Sequence, residues 1–109
     1  MIEDIHISEL QHRIAAFEDQ LAYKELFRRF QPALKKFAFS ICHVHEEAEE
    51  AVSDVFIRVW VKRKTIDQIH NLRLFLYVAT RNFSHNYVRA HRKIETIQPE
   101  LVKMEIESI

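Results

Sequence analysis

No glycine occurs in these 109 residues. The chain therefore lacks the one residue that takes up left-handed backbone at no steric cost. Phosphate-cradling loops, dinucleotide-binding turns and nucleophile elbows depend on that freedom, so nucleotide chemistry on such scaffolds is excluded. Cysteine is scarce as well. Cys42 has no second thiol to pair with, and its place on an apolar helical stripe makes it a small buried hydrophobe. Neither a signal-peptide pattern nor an apolar run long enough to span a bilayer is present, so a cytoplasmic location is expected.

Net charge is also missing: 16 Lys plus Arg stand against 16 Asp plus Glu. That balance conceals three blocks of alternating sign. Met1 to Val61 holds 7 basic against 11 acidic residues, net −4; Lys62 to Lys93 holds 8 against the single Asp67, net +7; Ile94 to Ile109 holds 1 against 4, net −3. A strongly basic block marks where a polyanion would sit, whatever the total charge.

The length suits one domain with a single core and leaves no room for a cleft between two lobes. Helical periodicity dominates, and the expected architecture is all-α, a compact bundle of about four helices with a short extra N-terminal helix. Leu10, Ile14, Phe17 and Leu21 fall at helical spacing over Ile7 to Ala22, with Ser8 as the expected cap. Tyr23, Leu26, Phe27, Phe30, Leu34, Phe37, Ala38, Ile41 and Cys42 continue the pattern, and Pro32 predicts a kink or a break between two helices.

After the turn His43, Val44, His45, a cluster of glutamates opens the next helix, where carboxylates favour the positive end of its dipole. Its buried stripe is Ala48, Val52, Val55, Phe56 and Val59. Glu50, Ser53, Asp54, Ile57 and Arg58 are left on the flanks and outer face. Lys64 to Asn71 is a polar connection, with Asn71 as a cap. In the last helix Leu72, Phe75, Leu76, Ala79, Phe83, Tyr87 and Ala90 share the expected core side. Arg73, Tyr77, Arg81, His85, Val88, Arg89 and Arg92 collect opposite, and Leu74 and Val78 are expected beneath a neighbouring helix. An acid-bearing helix suited to a protein thus stands directly before a basic, aromatic-rich one suited to nucleic acid, which indicates a two-partner adapter and not an enzyme.

Glu47 to Trp60 (E-A-E-E-A-V-S-D-V-F-I-R-V-W) and Leu74 to Arg89 (L-F-L-Y-V-A-T-R-N-F-S-H-N-Y-V-R), preceded by F-R-R-F-Q-P-A-L-K-K-F-A, resemble region 2 of bacterial extracytoplasmic-function sigma factors. The resemblance covers about residues 21–93 and divides the chain into an N-terminal amphipathic helix at 1–20, the region 2 domain at 21–93 and a linker-like tail at 94–109. It implies that the acidic helix docks on the clamp helices of the largest subunit of core RNA polymerase. Glu50, Ser53 and Asp54, with Ile57 and Arg58 alongside, match the contacting face.

The resemblance further implies recognition and melting of the minus-ten promoter element. In the family the loop before the last helix takes a base flipped from the nontemplate strand, and the helix holds its neighbours. Carried over, this points to Lys64, Thr65, Ile66 and Asp67 in the loop and to Asn82 and Asn86 on the helix. Amides suit the pairing edges of unstacked bases and rings suit their faces. Arg73, Arg81, Arg89, Arg92 and Lys93 fit phosphate contacts. His85 is a stacking candidate, and Tyr77 is read equally as stacking or packing. An anti-sigma partner is implied too. Members normally carry a second helical domain that reads the upstream element, and none is expected here.

Two other readings stand beside this one. A helical interaction module could engage polymerase or a regulator without touching DNA. A metal site is suggested by Cys42, His43 and His45, but no complementary ligand pair follows at zinc spacing, so no metal or other cofactor is expected.

Overall fold

The computed structural model describes the backbone over residues 1–97 and side chains as far as Arg92. Among the described residues the chain forms four α-helices: α1 (Ile7–Phe17), α2 (Gln20–Cys42), α3 (His45–Val61) and α4 (Leu72–Ile97). A 3-10 turn, Ile2–Asp4, precedes α1, and a 3-10 segment, Arg63–Gln68, lies between α3 and α4. The bundle is all-α, as the periodicity predicts. The tail beyond Pro99 lies outside the described residues, and α4 runs past the expected boundary at Lys93 to Ile97.

With no glycine to end a helix, two other residues take the left-handed position: Glu18 at φ 51° closes α1 and His43 at φ 59° closes α2. Helix α1 therefore stops at Phe17, short of the expected Ala22, because Asp19 opens α2 by accepting from the Leu21 and Ala22 amides at 3.0 and 3.1 Å. Phe17 (73%) and Leu21 (69%) are left exposed outside the core. The α1 cap also differs from the expectation. His6 Nδ1, not Ser8, accepts the free amide, that of Ser8 itself, at 3.1 Å.

Helix α2 is continuous through Pro32, so the expected break does not occur. Phe30 and Leu34 on either side are both buried against the same core, and packing outweighs the lost hydrogen bond. Pro32 sits on the exposed side, where solvent can satisfy the freed Arg28 carbonyl.

The core joins Leu10 and Ile14 of α1, the Leu26, Phe30, Leu34 and Ala38 stripe of α2, and the Ala48 to Val59 stripe of α3. Ile66, Leu72 and Leu76 complete it. Burial of each larger side chain is worth about 1.5–3 kcal/mol. Glu25, also buried, accepts from Arg28 at 2.7 Å and from Arg29 at 3.1 Å. Arg29 reaches on to the carbonyls of Ile2 and Glu3, fastening the N-terminal turn to α2. The Arg28 hydrogen bond holds the Glu25 carboxyl below the ordinary glutamate range, with Arg29 adding to it.

Helix α4 is rotated from its expected setting. Leu72, Leu76, Thr80 and Ser84 are its buried stripe, roughly 50° round from the side where apolar residues are commonest. Thr80 is accommodated because its hydroxyl donates to the Leu76 carbonyl at 2.7 Å. The rotation leaves Ala90 exposed and brings Leu74 (59%) and Val78 (37%) to the surface, where no neighbouring helix among the described residues covers them.

Candidate functional site

Two surfaces meet along the seam between α3 and α4. On α3, the spacing of Glu50, Ser53, Ile57 and Arg58 places all four in solvent, with Ile57 an apolar spot at 59% exposure. Asp54 differs from them. It is half-buried, and its Oδ2 accepts a 2.9 Å hydrogen bond from the Tyr87 hydroxyl of α4. Burial, and then the Asp54 carboxylate, push the Tyr87 phenol up to about 12. Two turns nearer the N-terminus of α3, His91 lies 3.1 Å from the Glu47 carboxylate across the same seam.

Arg58 stands apart from the acidic face it was grouped with. Its guanidinium lies over the Phe83 ring, 5.1 Å from the centroid, so it turns toward α4. There it borders a cleft of about 200 Å³ with Lys62, Asn82 and Asn86 as the polar lining and Phe75, Val78 and Phe83 as the apolar wall. A second cleft of about 250 Å³ shares Arg58, Lys62 and Phe75 and continues beneath the loop to Thr65 and Gln68. Together they form a groove running from α4 to the loop, edged by cations and amides.

The loop itself divides between inside and outside. Lys64, Thr65 and Asp67 are exposed, but Ile66 is 1% exposed and packs in the core. The Ile66 side chain therefore faces the core and not the outer side of the loop, because a short 3-10 segment must bury one side to stay anchored. Asn71 caps α4 as expected, accepting from the Leu74 amide at 3.0 Å.

The residues predicted on α4 do not all converge. Asn82 and Asn86 enter the groove, and Arg89 donates to the Asn86 side-chain oxygen beside it. Arg73 instead lies over the Phe30 ring of α2 at 5.3 Å, and Tyr77 packs on Phe37 of α2 at 5.1 Å, so Tyr77 is a packing residue. Arg81, His85 and Arg92 are exposed on the surface between these sides. Lys62, Phe75, Val78 and Gln68 were missed by the sequence reading. Lys62 was within reach of it, since it continues the Asp54, Arg58 series at four-residue steps.

Charge pairing is uneven along the chain, with Arg63 of the basic block tied to Glu18. Arg13, Arg28, Arg29 and Lys35 of the first two helices each sit in an ion pair. Among the described residues none of the ion pairs involves Arg58, Lys62, Lys64, Arg73, Arg81, Arg89 or Arg92. Of these, Arg58 and Lys62 line the groove and Arg89 lies beside it, and unneutralised cations are what a phosphate chain requires. Among the described residues no group of three or more His, Cys, Asp or Glu side chains is placed to hold a metal ion, and no helix is long and apolar enough to cross a membrane.

The profile of the Sigma-70 region 2 family matches residues 26–94. The chain is also similar to the ECF RNA polymerase sigma factor RpoE of Cereibacter sphaeroides, 30% identical over 87 residues, which cover 79% of this chain and 48% of that protein. The chain thus spans about half the length of the curated relative it matches. No solved structure matches it significantly. The family match takes in most of α2 from Leu26 on, the whole acid-bearing helix, the loop and nearly all of the groove-lining helix, and the chain belongs to the Sigma-70 region 2 family.

Proposed function

We propose that this chain is the region 2 domain of an extracytoplasmic-function sigma factor, which binds core RNA polymerase and holds the melted minus-ten element during transcription initiation. The observation that carries the proposal is the α3–α4 groove, in which Arg58 and Lys62, outside every ion pair among the described residues, line the same cleft as Asn82, Asn86 and two aromatic rings. Cations hold phosphates in register, amides read the exposed edges of unpaired bases, and Phe75 and Phe83 offer flat apolar surface. On the adjoining face Glu50, Ser53 and Ile57 present hydrogen-bond acceptors around an apolar spot, which suits basic side chains on the clamp helices. The Lys64, Thr65 and Asp67 side of the loop is assigned to the flipped base. An anti-sigma regulator belongs to the same reading.

Co-purification with core RNA polymerase, followed by crosslinking to nontemplate-strand oligonucleotides, tests the proposal. Capture of polymerase together with crosslinks in residues 58–89 is the expected result. Polymerase capture without any crosslink would favour a helical interaction module that does not bind DNA.

A further inference from the structure

Helix α1 lies outside the region matched to the family, yet it packs on the loop before α4 more extensively than on α2. The contact is specific. Gln11, 5% exposed, donates both hydrogens of its carboxamide to loop carbonyls, that of Ile66 at 2.8 Å and that of Ile69 at 2.9 Å. Directly beside it, Leu10 and Ile14 share the core with the buried Ile66 side chain. At the other end of the segment, Arg63 pairs with Glu18, the residue that closes α1, at 3.1 Å.

The loop cannot hold this shape by itself. Its own backbone bonds are the i to i+3 kind, Thr65 to Lys62 at 3.1 Å and Ile69 to Ile66 at 3.3 Å, and a six-residue 3-10 segment is weakly self-supporting. Without Gln11, the Ile69 carbonyl would lose its side-chain donor and the Ile66 carbonyl would keep only the 3.3 Å bond from the Ile69 amide, and an under-satisfied carbonyl in a part-buried loop favours local rearrangement. Ile66 points inward from the same stretch that turns Lys64, Thr65 and Asp67 outward, so any shift at its base moves all three.

We infer that Gln11 is a positioning residue for base recognition. Its carboxamide fixes the loop conformation in which Lys64, Thr65 and Asp67 meet a flipped base, which makes α1 part of the specificity apparatus. This rests on the DNA-binding reading proposed above.

The test compares the unaltered chain with Gln11→Met, close to it in volume but unable to donate. Each binds single strands of about ten nucleotides that differ at one base. The quantity read is the ratio of affinities for preferred and disfavoured strands, since a ratio taken on one preparation does not depend on the fraction folded. A fall in that ratio of about five-fold or more, with capture of core RNA polymerase retained, is expected. An unchanged ratio with lower melting temperature makes Gln11 merely structural and overturns the inference alone. Absence of any base preference in the unaltered chain overturns the DNA-binding reading and the inference with it. Should the methionine variant not fold, Glu18→Gln cuts the exposed tie of the same loop. A loss of about two-fold in the ratio then supports the inference, and no loss overturns it.

Discussion

The Tyr87 hydroxyl and the Asp54 carboxylate, 2.9 Å apart, tie the helix assigned to polymerase to the helix assigned to DNA. Asp54 is thus partly occupied inside its own fold. The acid-bearing face of α3 is free for a partner at Glu50 and Ser53 and braced at Asp54.

Removing the Tyr87 hydroxyl should loosen that brace. Tyr87→Phe is expected to cost about 1–2 kcal/mol, as for a hydrogen bond to a charged acceptor, read by denaturant unfolding. The alkaline limb of stability carries the sign. The folded phenol is pushed from 10.0 up to about 12, so its contribution is complete below about pH 10 and is lost as pH rises toward 12. The phenylalanine variant should lose that part of the alkaline dependence; an identical limb in both proteins would mean the bond does not form in solution.

Glu50→Lys and Asp54→Lys should separate docking from folding. Both reverse charge on α3, but only the second breaks a contact within the domain. Glu50→Lys is expected to weaken capture of core RNA polymerase at unchanged melting temperature, and Asp54→Lys to lower both. Full polymerase capture by the Glu50 variant would remove the docking assignment.

Salt dependence distinguishes phosphate contacts from base contacts in the groove. Lys62→Ala should flatten the log–log salt slope for single-stranded DNA by about 0.7, the loss of one neutralised phosphate. Asn82→Ala should weaken binding with the slope intact, because an amide releases no counterion. Equal slopes for Lys62→Ala and the unaltered chain would place the phosphates elsewhere.

His43 holds a left-handed backbone at φ 59° between α2 and α3. For a residue with a Cβ that conformation costs about 1 kcal/mol, which glycine escapes. His43→Gly is expected to raise the melting temperature, with DNA binding unaltered. A lower melting temperature would show that the ring's edge contact with Phe39 outweighs the strain.

The helices, most of the core stripes of α2 and α3 and the sign of each surface were legible in the sequence because amphipathic spacing and charge blocks are local properties of the chain. Leu26, Phe30, Leu34 and Ala38 of α2, Val52, Val55, Phe56 and Val59 of α3, and the Asn71 cap are examples. Pro32 shows the limit. Its local effect is to break a helix, and only burial of Phe30 and Leu34 on one core holds the two halves in line.

Periodicity set the existence of α4, while its rotation was decided by packing on α2 and α3, which left small Thr80 and Ser84 buried in place of larger apolar neighbours. That rotation withdrew Arg73 and Tyr77 toward α2 and brought Asn82 and Asn86 against Arg58 and Lys62 of α3. The amino-acid order by itself determined an acidic helix followed by a basic one. Tertiary packing alone decided which cations and amides share a groove and that Gln11, 55 positions away in sequence, holds the Ile66 carbonyl, because a long-range hydrogen bond leaves no periodic trace in the chain.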